Sequence, residues 1–93
     1  MAEFQIFESQ TEDANSDAIF WNYKTGNVII EGTWDSATIT MQIRRPNGTW
    51  ISFLEFTEDD FVIIDNLLPC FEIRFALSDV GASTSLNTFI IMA

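Results

Sequence analysis

Between Gly32 and Phe53 the chain reads GTWDSATITMQIRRPNGTWISF, and apolar and polar residues alternate on both sides of a Pro-Asn-Gly turn. Ala37, Ile39, Met41 and Ile43 fall to one side of the first strand and Thr38, Thr40, Gln42 and Arg44 to the other. A two-residue period puts one face in a core and the other in water. In Arg45-Pro46-Asn47-Gly48, Pro46 occupies a position that wants φ of about −65°, and Asn47-Gly48 favours the left-handed conformation that follows. These residues predict a type I turn with a bulge, and therefore an antiparallel β-hairpin.

The same punctuation runs through the rest of the chain. Strands are expected at about Phe4 to Glu8, Ala18 to Tyr23, Asn27 to Thr33, Ala37 to Arg44, Thr49 to Phe56, Phe61 to Asp65, Phe71 to Leu77 and Ser85 to Met92. Lys24-Thr25-Gly26-Asn27 offers residues that tolerate positive φ, predicting a tight connection. Leu67-Leu68-Pro69 ends one strand and starts another, because proline cannot donate to a ladder. Ser78 to Thr84 is a small-residue loop long enough to leave the sheet, and Thr57 is placed to cap a helical turn over the acidic residues that follow. No segment sustains a helical period. The fold class is all-β: a compact antiparallel β-sandwich, jelly-roll or Ig-like, of about eight short strands. Residues 1–16 read as an N-terminal arm, comprising a first strand and all but the last residue of the polar linker SQTEDANSD (Ser9 to Asp17), and residues 17–93 as a single sandwich domain.

Some segments are apolar on both faces. In Trp50-Ile51-Ser52-Phe53-Leu54-Glu55-Phe56, alternation assigns Trp50, Leu54 and Phe56 to one face and Ile51 and Phe53 to the other; Ile19, Phe20, Trp21 and Tyr23 repeat the theme. Such strands imply either a second covered face or aromatic residues lying over an edge. Phe4, Ile6 and Phe7 form an apolar patch too short to be a core alone. It must dock on the domain's own edge or on a neighbouring subunit. The candidate partner contacts are therefore Phe4, Ile6, Phe7, Ile51 and Phe53, with Trp34 added below.

Charge narrows the partners. The 93 residues carry 14 acidic and 4 basic side chains, a net charge of −10. A phosphate-backbone binder needs a clustered basic footprint, and the only adjacent basic pair is Arg44-Arg45, so no nucleic acid is expected. An anionic membrane surface is disfavoured for the same reason, and no apolar run approaches the ~20 residues of a membrane span. The first residues show no signal-peptide pattern, which predicts a soluble polypeptide made in the cytosol. Cys70 is the single cysteine, excluding an intramolecular disulfide; it reads as a small buried hydrophobe.

Chemistry is sparse. There is no histidine and no phosphate-binding glycine loop. Acid/base work would fall to carboxylates, of which Glu31, Asp35, Asp65 and Glu72 lie in or beside strands, yet each has a simpler role in a turn or on a polar face. Glu58-Asp59-Asp60 and Glu12-Asp13 lack the spacing that wraps a calcium ion, and one cysteine without histidine does not make a zinc site. The expectation is no catalytic, cofactor or metal site. Aromatic residues are the remaining signal. Trp50, alternating with Leu54 and Phe56, reads as core, whereas Trp34 in a turn is a candidate contact for a partner or a sugar.

Gly32-Thr33-Trp34, Ala37 to Gln42 and Asn47-Gly48-Thr49-Trp50 together resemble small virion proteins of tailed bacteriophages. Those proteins pair a Gly-Thr-aromatic start and a Thr-Val-Thr-Leu-Gln-like strand with an Asp/Asn-Gly-Thr-Trp turn. Leu68-Pro69, the strand Phe71 to Leu77, Gly81 to Ser85 and the final strand Leu86 to Met92 extend the likeness. It covers the chain from Gly32 onward and departs at Arg44-Arg45, where small polar residues are usual. The resemblance implies a head-decoration or cement protein on the capsid exterior, present in the host cytoplasm during assembly. It further implies the major capsid protein, copies of itself, or both, as partners. A tail, collar or fibre component, or a host-surface carbohydrate-binding module, are the alternatives.

Overall fold

A computed structural model describes residues 2–67 and 71–93. Nine strands make up the fold: β1 (Ala2–Gln10), β2 (Ala14–Asn15), β3 (Ile19–Trp21), β4 (Gly26–Thr33), β5 (Thr38–Arg44), β6 (Trp50–Phe56), β7 (Asp60–Ile64), β8 (Phe71–Ser78) and β9 (Ser85–Met92). No helix occurs among the described residues; the capped turn expected after Thr57 is a bend. The expectations for Cys70 and for Leu68-Pro69 lie outside the described residues.

All pairings are antiparallel, in two sheets. Sheet A has the order β1-β9-β4-β7; sheet B has the order β2-β8-β5-β6, with β3 also on β8. β2 and β3 are one strand interrupted by a kink. Between them Ser16 keeps the ladder going: its N–H donates to the Phe75 carbonyl at 2.8 Å and its Oγ accepts from the Phe75 N–H at 2.8 Å. Counted that way there are eight strands, ordered 1-8-3-6 and 2-7-4-5. This is the jelly-roll order of two four-stranded sheets, rather than an Ig-like one.

The core lies between the sheets and follows the two-residue period. Val28, Ile30, Ile64, Leu86, Ile90 and Met92 are buried from sheet A, and Trp21, Ile39, Met41, Ile43, Ile73, Phe75 and Leu77 from sheet B. The β5–β6 hairpin is as expected: the Gly48 N–H donates to the Arg45 carbonyl at 2.8 Å, the Arg45 N–H to the Thr49 carbonyl at 2.7 Å, and Gly48 has φ +90°. The Lys24 to Asn27 connection differs. It crosses from sheet B to sheet A instead of closing a hairpin, and neither Gly26 nor Asn27 has positive φ. Gly26 is needed for a different reason: the Trp21 ring lies against its backbone, and a Cβ there would sit 2.5 Å from Trp21 Cη2.

The N-terminal segment is an edge strand, not a free arm. β1 pairs with β9 from Ala2↔Met92 to Gln10↔Leu86, with irregularities at Ile6 and beyond Phe7. Phe7 is buried in the core, Ile6 is packed against it, and Phe4 stays 39% exposed at the sheet edge. The acidic stretch after it carries the chain across to sheet B, so residues 2–16 are integral to the sandwich. A bulge also accounts for the two-sided appearance of β6. Met41 pairs with Leu54 but Gln42 with Ser52, leaving Phe53 as the extra residue. The bulge reverses the alternation, so that Phe56, Leu54 and Ile51 all face the core. Trp50 is turned outward, where the Arg74 guanidinium lies 4.4 Å from its ring centroid, and it is not a core residue as alternation had suggested.

One polar group interrupts the core. Thr88 is fully buried, opposite Ile30 and Phe7, and its Oγ1 has no hydrogen-bond partner. An unpaired buried hydroxyl carries its desolvation cost in full. Thr88→Val, which keeps the shape, is expected to stabilise the fold by about 1–2 kcal/mol. At about 4–8 °C per kcal/mol for a domain of this size, calorimetry would register a clear rise in Tm. An unchanged or lowered Tm would contradict this account of Thr88.

Candidate functional site

The two outer faces of the sandwich differ in chemistry. On sheet B the outward residues are mostly polar, Thr38, Thr40 and Gln42 from β5, Ser52 and Glu55 from β6, Glu72 and Arg74 from β8, with Trp50 beneath Arg74 and Phe20 at one end as the large apolar exceptions. They bond to each other, with Arg74 Nε donating to Gln42 Oε1 at 2.7 Å and Arg44 Nη1 3.4 Å from Glu72 Oε1. This is the ordinary solvated side of an antiparallel sheet.

Sheet A has no such side over most of its width. Its inward residues on β4 are Val28 and Ile30, so Asn27, Ile29 and Glu31 point out; on β7, Phe61 and Ile63 point out; on β9, Asn87, Phe89 and Ile91 do. The ladder aligns them across strands. Ile29 stands between Phe61 and Phe89 in one row, and Asn27 between Ile63 and Ile91 in the next. Five large apolar residues therefore share one outer face. Phe61 is 57% exposed and Ile63 is 68% exposed, the highest values among them. β1 adds Glu3 and Gln5 to the same rows, and Glu31 with Asn87 forms the next row, so polar and acidic residues border the apolar area. The apolar area is thus contiguous and rimmed by polar residues, unlike the singly scattered apolar side chains of an ordinary surface.

Alternation along β6 places a second apolar face on Ile51 and Phe53. Both are half-buried and packed against the core. The informative runs were Val28-Ile29-Ile30, Phe61-Val62-Ile63-Ile64 and Phe89-Ile90-Ile91-Met92, where apolar residues continue without alternation. Unbroken apolar strands are those covered on both sides. Of the other candidates, Phe4 and Ile6 line a smaller groove with Ile19 between the sheet edges, away from this face. Trp34 is half-buried. Its Nε1 donates to Asp59 Oδ1 at 2.8 Å, an oxygen that also accepts the Gly32 N–H at 3.1 Å. The indole N–H is thus committed to closing a corner.

The carboxylates weighed for acid/base chemistry are scattered. Glu31 is on the outer face of sheet A and Glu72 on that of sheet B; Asp35 is tied up in a loop, accepting the Ser83 N–H at 2.8 Å, and Asp65 follows β7 at the opposite end. Among the described residues no group of three or more acidic or cysteine side chains is placed to hold a metal ion, and no helix is long and apolar enough to cross a membrane.

No family model, curated protein or solved structure matches the chain.

Proposed function

We propose that this protein is a non-enzymatic structural component of a tailed-bacteriophage virion, a capsid decoration or cement protein that seats the outer face of sheet A on the outside of the head shell. The observation that carries this reading is the apolar face formed by Ile29, Phe61, Ile63, Phe89 and Ile91. Covering each such side chain removes surface from water at about 25 cal/mol per Å², a sequence-tolerant driving force for attachment. Repetition over a symmetric shell then sums modest contacts into firm binding. The resemblance from Gly32 onward supplies the class of assembly. The fold adds an analogy only, because jelly rolls serve in viral shells, lectins and cupins alike. The partner on this reading is the major capsid protein, and the location is the capsid exterior.

The test is electron cryomicroscopy of particles made by the genome that encodes the chain, wild type against Ile63→Lys. Wild-type protein should cover the head with sheet A facing inward. Ile63→Lys should cut occupancy at least tenfold without lowering Tm, since Ile63 is an exposed edge residue. Protein found on the tail or collar, or full occupancy by the variant, would overturn the reading.

A further inference from the structure

The basic residues of this chain are absent from one end of the sandwich, which carries carboxylates alone. The loops between β1 and β2, β4 and β5, β6 and β7, and β8 and β9 all lie at one end, as the ladder shows: Thr33 pairs with Ser85 and Thr38 with Ser78. Side-chain bonds knit these loops together, Asp59 to Trp34, Asp35 to Ser83 and Asp13 to Val80. They carry Glu12, Asp13, Asp35, Glu58, Asp59 and Asp79, and no lysine or arginine.

At the other end are Lys24, Arg44 and Arg45, three of the four basic residues, together with Glu3, Asp65 and Glu72, so that positive charge is concentrated there but not alone. Here the β5–β6 turn, β3 and the start of β8 enclose a cleft of about 360 Å³ lined by Phe20, Arg44, Arg45, Pro46, Phe71 and Glu72. Phe20 points out of sheet B and is 62% exposed. Burying it in the core is blocked by the pairing, which turns its neighbours Ile19 and Trp21 inward. An exposed aromatic beside two guanidinium groups is a contact suited to carboxylates on an uncharged backbone.

We infer that the cleft takes the acidic loop end of a second copy of the chain, so that copies associate head to tail. Charge complementarity selects this occupant. The loops offer carboxylates without competing cations, and the cleft holds two of the chain's four basic residues, Arg44 and Arg45, with Arg44 also 3.4 Å from Glu72. Net charge does not forbid it. Eight residues of β4 separate the ends by roughly 26 Å at 3.3 Å per residue, whereas the screening length at physiological salt is about 8 Å. Each end therefore responds to its local partner and not to the whole molecule. The contact is heterologous, since two different surfaces meet, and it generates a ring or an open string, not a two-fold dimer. It does not depend on the outer face of sheet A or on attachment to a shell.

Sedimentation velocity of the full chain at 20–500 µM tests it. Weight-average mass should rise with concentration in 50 mM NaCl and fall to that of the monomer in 1 M NaCl. The doubly reversed variant R44E/R45E, and separately E12K/E58K, should each weaken association at least tenfold. An equimolar mixture of the two should restore association as one-to-one pairs, because the unaltered acidic end of R44E/R45E meets the unaltered cleft of E12K/E58K. Calorimetry checks that both variants fold. A monomer at all concentrations, association indifferent to salt, or no rescue on mixing would overturn the inference. Association that is instead abolished by Ile63→Lys would assign self-contact to sheet A and overturn it likewise.

Discussion

Trp21→Ala should remove a large part of the stability of this domain. Trp21 is the largest fully buried side chain, reaches from β3 across to sheet A, and covers the backbone of Gly26 where that strand begins. Its Nε1 donates to the Leu67 carbonyl at 3.0 Å, tying down the segment after β7. Truncating a buried tryptophan costs about 3–5 kcal/mol through lost burial and the cavity left behind. The orphaned carbonyl adds to this. Against the roughly 5–14 kcal/mol expected for a domain of this size, urea unfolding should show a midpoint reduced by a third or more. Trp50→Ala is the matched comparison. Its indole lies on the outer face of sheet B under Arg74, a cation–π contact worth about 0.5–1 kcal/mol, so its midpoint should move little. Equal effects at the two positions would contradict the assignment of Trp21 to the core and Trp50 to the surface.

That pair also shows what could be read from residues alone. The hairpin from Ala37 to Phe56 was legible because strict alternation and a Pro-Asn-Gly turn agree with each other, and local consistency of that kind leaves one solution. Alternation fails where a bulge intervenes. Nothing in Trp50 to Phe56 marks Phe53 as the extra residue, so the face of every residue before it was inverted, Trp50 and Ile51 included. The N-terminal strand was recognised, but its docking was open between the chain's own edge and a neighbour. Only the pairing with β9 decides for its own edge, and pairing between the first and the last strand is a long-range event that no local window contains. The apolar face of sheet A was hidden differently. Ile29, Phe61 and Phe89 sit in three separate runs, each readable as an ordinary buried strand. Their meeting in one row depends on β4 lying between β7 and β9. The gathering of carboxylates at one end is likewise invisible along the chain, since it is the jelly-roll connections that bring four distant acidic loops together.

Gly32→Ala is expected to be nearly as damaging as loss of Trp21, although it adds one methyl group. Gly32 has φ +138°, a conformation that side-chain-bearing residues rarely adopt, and a Cβ placed there would lie 2.2 Å from the Ser85 carbonyl oxygen. That oxygen belongs to the backbone of β9, so the clash cannot be relieved by turning a flexible side chain. Backbone strain of this kind costs about 1–3 kcal/mol by itself. Relief requires β4 to part from β9 near the Gly32↔Leu86 pair, and Leu86 is fully buried. The same movement would strip Asp59 Oδ1 of the Gly32 N–H and disturb its bond to Trp34, undoing the corner that joins two of the acidic-end loops. A loss of about 2–4 kcal/mol in urea unfolding is therefore expected, from strain combined with local unpairing. Hydrogen exchange should locate the damage: faster exchange at the start of β9 and in the β4–β5 loop, with the Gly26 end of β4 still protected. A Gly32→Ala variant of wild-type stability would mean that the corner relaxes freely. The Gly-Thr-Trp motif would then lack the structural role assigned to it, in which Gly32 admits the β9 backbone and Trp34 is clamped by Asp59.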